Sequence, residues 1–71
     1  LAPDIRVNSV SPGGVIRGQP DIFLEKYCSR TPLGRLATEE DISNGMLFLV
    51  SSLASYITGH NLVIDGGFTS L

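Results

Sequence analysis

The sequence predicts an α/β fold in which a helix connects two parallel strands. Short apolar runs at Ile5 to Val10 and Asn61 to Asp65 are each followed closely by a pair of adjacent glycines. Between them lies a longer segment whose apolar residues recur at helical spacing. A strand–helix–strand order is typical of one βαβ unit of a parallel sheet, and the scarcity of charge in both runs favours burial on both faces.

The first predicted strand ends in a loop that we interpret as ligand-binding. Ser11-Pro12-Gly13-Gly14 terminates the apolar run, and Gly18 closes the short stretch Val15-Ile16-Arg17. In open α/β sheets, ligands bind in the crevice outside the carboxyl ends of the strands. We therefore expect the residues after Val10 to face a ligand.

A short helix is predicted to begin near Pro20, because proline suits the first position of a helix. Phe23 and Tyr27 are four residues apart, as are Leu24 and Cys28, so each pair would share one helical face. A proline- and glycine-containing segment then interrupts the chain.

The longest helix is predicted at Thr38 to Leu53. Thr38 is suited to the N-cap, the acidic run Glu39-Glu40-Asp41 complements the helix dipole, and Asp41 stands where the second residue of a capping box belongs. Leu47 and Phe48 lie outside the main apolar stripe and predict a second burial partner. The stripe itself comprises Ile42, Met46, Leu49, Val50 and Leu53.

Composition narrows the function classes. The 71 residues are 42% hydrophobic and 17% charged, with mean hydropathy +0.22 and net charge −2. This charge balance gives no electrostatic footprint for nucleic acid, and the single Cys28 permits neither an internal disulfide nor a Cys-only metal site. No apolar run approaches the length of a bilayer span and no signal peptide is visible, so we expect a cytoplasmic protein without nucleic-acid or membrane partners.

No reactive residue belongs to a complete catalytic or metal-binding set. Gly13 and Gly18 have the spacing of a phosphate loop, but Gln19-Pro20 stand where lysine and a hydroxyl residue are needed. Cys28 is interpreted as a small buried side chain and His60 as a surface loop residue. The acidic run at the start of the long helix is interpreted as helix-start electrostatics rather than a carboxylate pair or metal site.

Several motifs together resemble the C-terminal part of classical short-chain dehydrogenase/reductase proteins. They occur in that family's order and at its spacing, and they span nearly the whole chain. The motifs are Arg6-Val7-Asn8-Ser9-Val10-Ser11-Pro12-Gly13-Gly14-Val15, Pro32-Leu33-Gly34-Arg35 with Glu39-Glu40-Asp41-Ile42, Phe48-Leu49-Val50-Ser51-Ser52, Ser55-Tyr56-Ile57-Thr58-Gly59, and Leu62-Val63-Ile64-Asp65-Gly66-Gly67.

The resemblance implies a fold and a cofactor contact. Residues 1–71 would be the C-terminal part of one doubly wound Rossmann-type domain, with the sixth strand, the last long helix and the seventh strand of its sheet. Pro12 and Gly13 would wall the nicotinamide pocket of NAD or NADP, Gly14 would follow, and the backbone of Val15 would hold the carboxamide. Arg17 replaces the threonine that is frequent in the family, and a guanidinium suits a phosphate instead.

The resemblance also implies what the 71 residues lack. The family's glycine-rich cofactor turn, catalytic serine and Tyr-x-x-x-Lys pair precede the matched region, and neither Tyr27 nor Tyr56 has a lysine four residues later. Both tyrosines are therefore interpreted as packing residues, and no catalytic or metal residue is expected.

Three functional hypotheses remain open. The chain is part of an oxidoreductase that transfers a hydride between the cofactor and a carbonyl or alcohol, with a sugar-related or 3-oxoacyl substrate, and is inactive alone. Alternatively it is a non-catalytic, self-associating α/β module derived from that family. An incomplete chain of a longer protein fits both. In either hypothesis we expect a homo-oligomer through the helix Thr38 to Leu53 and the strand Asn61 to Asp65, and a small-molecule substrate for the complete enzyme.

Overall fold

The computed structural model describes residues 1–70 and has the predicted α/β composition. Two strands form a parallel sheet in which Ser9 lies opposite Asn61 and Pro12 opposite Ile64. Short 3₁₀ turns follow the second helix and the second strand. The elements in chain order are β1 (Ser9–Pro12), α1 (Asp21–Arg30), α2 (Glu39–Val50), the 3₁₀ turn Ser52–Ala54, β2 (Asn61–Ile64) and the 3₁₀ turn Phe68–Ser70.

The first strand lies further along the chain than predicted. Residues 5–8 precede β1, and their backbone is held by the loop before β2 instead of by a strand ladder. The Val7 N–H donates to Thr58 Oγ1 at 3.0 Å, and the Val7 carbonyl accepts from the Gly59 N–H at 2.8 Å. The predicted boundaries Ile5 to Val10 were therefore wrong, because they depended on local alternation and not on the partner strand.

Pro12 belongs to β1, although the sequence indicated a strand end at this residue. The N–H groups that β1 directs to β2 include those of Ser9, which donates to the His60 carbonyl at 2.9 Å, and of Gly13, which donates to the Ile64 carbonyl at 2.8 Å. Successive residues of a strand direct their N–H groups to opposite edges, and Pro12 is out of phase with Ser9 and Gly13. The absence of an N–H at Pro12 therefore removes no hydrogen bond to β2.

Helix α2 begins as predicted, and α1 begins at Asp21, one residue after the predicted Pro20. Pro20 is the N-cap of α1, and the capping box at the start of α2 is complete. Thr38 Oγ1 accepts from the Asp41 N–H at 3.1 Å, and Asp41 Oδ2 accepts from the Thr38 N–H at 2.8 Å. The predicted end at Leu53 was too late, because Ser51 is extended and its hydroxyl caps the following 3₁₀ turn.

Helix α2 packs on the sheet through Gly45. A Cβ at this position would overlap Ile64 Cδ1 and lie 3.4 Å from a Leu62 methyl, so glycine allows the helix to approach β2 closely. Leu49, at 6% exposure, is the buried residue of α2, whereas Val50 is 76% exposed. The predicted stripe is thus buried only in part by the residues that the structure describes.

The Arg6 guanidinium connects the segment before β1 to the end of α2. Its Nη1 donates to the carbonyls of Leu49 and Ile57, each at 3.0 Å, and its Nη2 donates to the Ser51 carbonyl at 3.3 Å. Carbonyls at a helix C-terminus lack intrahelical partners, so a cation at this point satisfies them and complements the helix dipole.

An open groove of about 820 Å³ separates the segment before β1 from α2. Ile42, Met46 and Val50 line its helix side, so these three residues of the predicted stripe face the groove, whereas Leu53 does not line it. No helix within residues 1–70 is long and apolar enough to cross a membrane.

Candidate functional site

The glycine loop leaves the carboxyl end of β1 and leads into α1. Its backbone is fixed on two sides. Gly13 donates to the carbonyl of Ile64 in β2, and the segment before α2 forms a two-bond bridge in which Ala37 N–H donates to the Gly14 carbonyl at 2.8 Å and Ile16 N–H donates to the Ala37 carbonyl at 2.9 Å. Gly13 to Ile16 therefore form a positioned stretch of main chain and not a free loop.

Protein packing explains the adjacent glycines. A Cβ at Gly13 would lie 2.8 Å from Asp65 Cβ, and one at Gly14 would lie 2.7 Å from Leu36 Cδ2 and 2.8 Å from the Tyr27 ring. Real Cβ atoms do not approach other carbons this closely, so only glycine fits either position. The need for glycine at both positions is therefore explained by contacts within the protein.

Tyr27 anchors this loop, a role that sequence reasoning missed. The Gly14 N–H donates to Tyr27 Oη at 2.7 Å. The Tyr27 ring lies between Phe23, with centroids 5.9 Å apart, and Phe68, with centroids 4.9 Å apart. The spacing of Phe23 and Tyr27 predicted their shared helical face, but no local signal pointed to contacts with Gly14 and Phe68.

The backbone of Val15 offers a donor beside an acceptor. Within residues 1–70 no hydrogen bond engages the Val15 N–H, while the Val15 carbonyl accepts from Gln19 Nε2 at 2.7 Å. The Gln19 Oε1 in turn accepts from the Arg17 N–H at 2.8 Å. A primary carboxamide has an acceptor oxygen and an amino donor, so the N–H and the carbonyl of Val15 together fit such a group. The Gln19 carboxamide already uses the Val15 carbonyl.

The acidic groups near the loop are engaged in structural bonds. Hydrogen bonds from the Thr69 hydroxyl and N–H, at 2.7 and 3.0 Å, hold the pKa of Asp65 below its usual range. The Arg35 guanidinium, 2.7 Å from Asp41 Oδ2, together with the Thr38 N–H lowers the pKa of Asp41 to about 2. Neither carboxylate is therefore poised as a base, and the prediction that Asp41 serves the helix start is confirmed by its capping bonds.

The predicted cofactor residues follow one another at the carboxyl end of β1, but they do not line a common cavity. Pro12 lines the large groove, whereas Gly14 lines a smaller cavity of about 170 Å³ with Arg35, Asp41 and Asp65. Val15 lines neither of these two cavities, and Arg17 is exposed.

The predicted environments of three other residues are confirmed only in part. His60 is exposed, as expected for a loop residue, while Cys28 is a half-buried free thiol and not a fully buried side chain. Tyr56 is 102% exposed, so its interpretation as a packing residue was wrong within residues 1–70. No group of three or more potential metal ligands occurs in this part of the chain.

Comparisons with known proteins place this geometry in a family. A family model described as enoyl-(acyl carrier protein) reductase matches residues 1–69. The chain is 41% identical to a 3alpha-hydroxysteroid dehydrogenase of Mediterraneibacter gnavus and 42% identical to a 3-oxoacyl-[acyl-carrier-protein] reductase of Aquifex aeolicus. In each alignment 94% of this chain is covered, with 28% and 29% of the respective relative.

A solved structure gives the same result. A short-chain dehydrogenase from Leptospira borgpetersenii with bound NAD⁺ superposes with a TM-score of 0.85 and 52% sequence identity, over 90% of this chain and 25% of that one. The 71 residues thus span between a quarter and a third of the proteins they match. The matched motifs, the parallel strand pair and the superposition together show that the chain belongs to the classical short-chain dehydrogenase/reductase family, whose fold is the Rossmann-type sheet, and corresponds to one segment of these relatives.

Proposed function

We propose that this chain is part of a nicotinamide-dependent oxidoreductase and supplies the contact to the cofactor's carboxamide. The complete protein moves a hydride between NAD or NADP and a carbonyl or alcohol group. The observation that carries the proposal is the pair of backbone groups at Val15, an unengaged N–H beside a carbonyl that already accepts from a carboxamide. The cofactor supplies the hydride chemistry, and this segment binds and orients it.

The loop geometry supports an orienting role. Bonds from Gly13 to Ile64 and from Ala37 to Gly14 fix the main chain that leads to Val15. A contact made by fixed backbone needs no ordering of a side chain when the ligand binds. The exposed Arg17 follows two residues later, and its guanidinium is suited to a cofactor phosphate.

The relatives support a nicotinamide cofactor but several substrate classes. The Leptospira structure contains NAD⁺, and the two curated relatives carry names for a hydroxysteroid and a 3-oxoacyl substrate. All of these reactions interconvert an alcohol and a carbonyl, so the proposed substrate class is an alcohol or a carbonyl compound. A 3-oxoacyl or sugar-related compound is the narrower proposal.

The test uses the full-length protein that contains residues 1–71. It is incubated with NAD⁺ or NADP⁺ and secondary alcohols of the steroid, sugar-alcohol and 3-hydroxyacyl thioester classes, and reduced cofactor is followed by its near-ultraviolet absorbance. We expect turnover with at least one pair. A folded protein that binds neither cofactor in calorimetry and turns over no alcohol would refute the proposal.

A second element of the proposal is self-association through α2 and β2. Leu47 and Phe48 on α2 are 63% and 39% exposed, and Val63 on β2 is 50% exposed. Across a two-fold axis, each of these residues would contact its counterpart in the other copy and be removed from water. Full burial of one such side chain contributes roughly 1.5–3 kcal/mol. This surface is also what a non-catalytic, self-associating module would use.

Sedimentation velocity of the chain and of the full-length protein tests this surface. Phe48→Asp is expected to yield smaller oligomers of the full-length protein, because it would place carboxylates in an apolar contact. Ile22→Asp, which changes an apolar residue on α1 that is 65% exposed, is the control outside the proposed surface and should leave the oligomer intact. A wild-type chain that sediments as a folded monomer contradicts self-association of these residues.

A further inference from the structure

We infer that Gln19 is a built-in competitor of the cofactor: its side-chain carboxamide donates to the Val15 carbonyl, the group to which the nicotinamide carboxamide would donate, so cofactor binding releases it. This inference rests on the proposed function. It assigns a role to a residue outside the matched motifs. It also gives a way in which the cofactor-free loop lowers its own affinity for the cofactor.

The chemistry of the two groups is the same. Nicotinamide and glutamine both end in a C(=O)NH₂ group, which donates through nitrogen and accepts through oxygen. Gln19 Nε2 donates to the Val15 carbonyl at 2.7 Å, and Gln19 Oε1 accepts from the Arg17 N–H at 2.8 Å. The side chain thus takes the Val15 carbonyl that the proposed cofactor contact also uses, and it pairs that carbonyl with the Arg17 N–H instead of the Val15 N–H.

The loop is shaped so that this contact forms within it. Gly18 has φ +76°, a left-handed conformation that strongly favours glycine, and it turns the chain so that Gln19 reaches back to Val15. No atom lies within 4 Å of a Cβ built at Gly18, so the turn projects into open space. Gln19 is half-buried although its neighbours Arg17 and Pro20 are exposed, which fits a side chain folded against the loop.

Release of Gln19 would loosen the connection between the glycine loop and α1. Pro20, the N-cap of α1, follows Gln19 directly, and α1 carries Tyr27, which accepts from the Gly14 N–H. The Val15–Gln19 contact and the Gly14–Tyr27 contact therefore fasten the loop to α1 at two points. Exchange of Gln19 for the cofactor carboxamide removes one of them and leaves the other.

Competition predicts that removal of the Gln19 amide tightens cofactor binding. A neutral hydrogen bond contributes about 1 kcal/mol net, so loss of one competing bond corresponds to about 5-fold tighter binding and loss of both to about 30-fold. If both carboxamides instead share the Val15 oxygen, which has two lone pairs, the affinity would stay unchanged or fall.

The experiment measures dissociation constants by calorimetry for the full-length protein that contains residues 1–71. Gln19→Met keeps the length of the side chain and removes its amide, and Gln19→Ala is the second variant should the first fold poorly. The ligands are NAD⁺ and NADP⁺, with ADP-ribose and its 2′-phosphate as probes that lack the nicotinamide. Tighter binding of the dinucleotide by about 5- to 30-fold, with the ADP-ribose probes unchanged, is the expected result.

Each other outcome overturns the inference in a recognisable way. Equal or weaker dinucleotide binding by both variants, with wild-type binding intact, refutes competition and leaves the proposed function standing. If the variants bind the ADP-ribose probes more tightly by the same factor as the dinucleotides, the substitution has loosened the loop in general. This result also refutes competition. A folded wild type that binds neither dinucleotide removes the proposed function and this inference together. Ile22→Ala, which changes a side chain that is 65% exposed in the first turn of α1, serves as the control that should leave the dissociation constants unchanged.

Discussion

Arg6 illustrates how one side chain determines where an element ends. Its guanidinium satisfies the carbonyls of Leu49, Ile57 and Ser51, which lie at and beyond the last turn of α2. The sequence placed Arg6 within a strand and gave no sign of this role, because the carbonyls are more than forty residues away. Local patterns do not show a contact over that separation.

Replacement of Arg6 by Met should lower the free energy of unfolding of the full-length protein by about 2 kcal/mol, since bonds to a charged donor are lost and the carbonyls stay partly buried. Urea denaturation measures the change. Arg30→Met, at the exposed end of α1, is the control and should have little effect. Equal stability of the Arg6 and Arg30 variants would contradict this account of the end of α2.

The Asp41 carboxylate gives a prediction about pH. Arg35 and the Thr38 N–H lower its pKa from an ordinary 3.8 to about 2. Because the folded-state pKa is lowered, the stabilisation is present above pH 3.8 and is lost as the pH falls toward 2.

A carbon-13 titration of the Asp41 carboxyl should therefore give a midpoint near 2 in the wild type. Arg35→Gln should raise this midpoint toward the ordinary value, and high salt should move it the same way because Arg35 is 57% exposed. A midpoint that Arg35→Gln leaves unchanged would show that the ion pair does not form in solution.

At the scale of elements, the starts of helices were predictable and the position of β1 was not. Thr38 and Asp41 lie within one turn, so their capping box is legible in a short stretch of sequence. The limits of β1 depend on pairing with β2, which is about fifty residues away, and on Pro12 facing the edge where its missing N–H is harmless. Long-range register has no local signature.

The contact between α2 and β2 yields a prediction at Gly45. Gly45→Ala should destabilise the protein by about 1–3 kcal/mol through overpacking against Ile64, although alanine favours helices. Thermal or urea unfolding measures it, with Asn44→Ala on the exposed side of the same helix as the near-neutral control.

A compensating change tests the cause. Ile64→Ala removes the atoms that a Gly45 side chain would meet, so the Gly45→Ala penalty should shrink in the Ile64→Ala background. A penalty that is the same in both backgrounds would rule out this contact as its source.

For the whole molecule, the sequence predicted the fold class and the family but overestimated burial. Leu36, Leu49 and Ala54 form the buried apolar core of residues 1–70, while Val50 and Leu53 of the predicted stripe are 76% and 81% exposed. Helical periodicity identifies which residues seek burial. It does not say whether the surface that covers them lies among the same 71 residues.

The candidate site was predictable to the same extent. The Pro-Gly motif placed the loop at the carboxyl end of β1, and the structure adds the bonds of Tyr27 and Gln19 to Gly14 and Val15. Both of these partners are side chains whose role depends on the folded loop, and no spacing rule indicates them.

The 71-residue chain alone is expected to have no dehydrogenase activity. It contains no Tyr-x-x-x-Lys pair and no Gly-x-Gly-x-x-Gly turn. Incubation with NADH or NADPH and carbonyl substrates should give no cofactor oxidation above the buffer rate, with the full-length protein as the positive control. Turnover that persists through repurification of the chain would contradict this expectation.

In the proposed function, the Val15 backbone holds the nicotinamide carboxamide. A crystal structure of the full-length protein with bound NAD⁺ or NADP⁺ would show this contact or its absence. We expect the carboxamide oxygen to accept from the Val15 N–H at hydrogen-bond distance and the carboxamide nitrogen to donate to the Val15 carbonyl. A cofactor whose carboxamide binds another segment, while Val15 keeps its free N–H, would contradict the account.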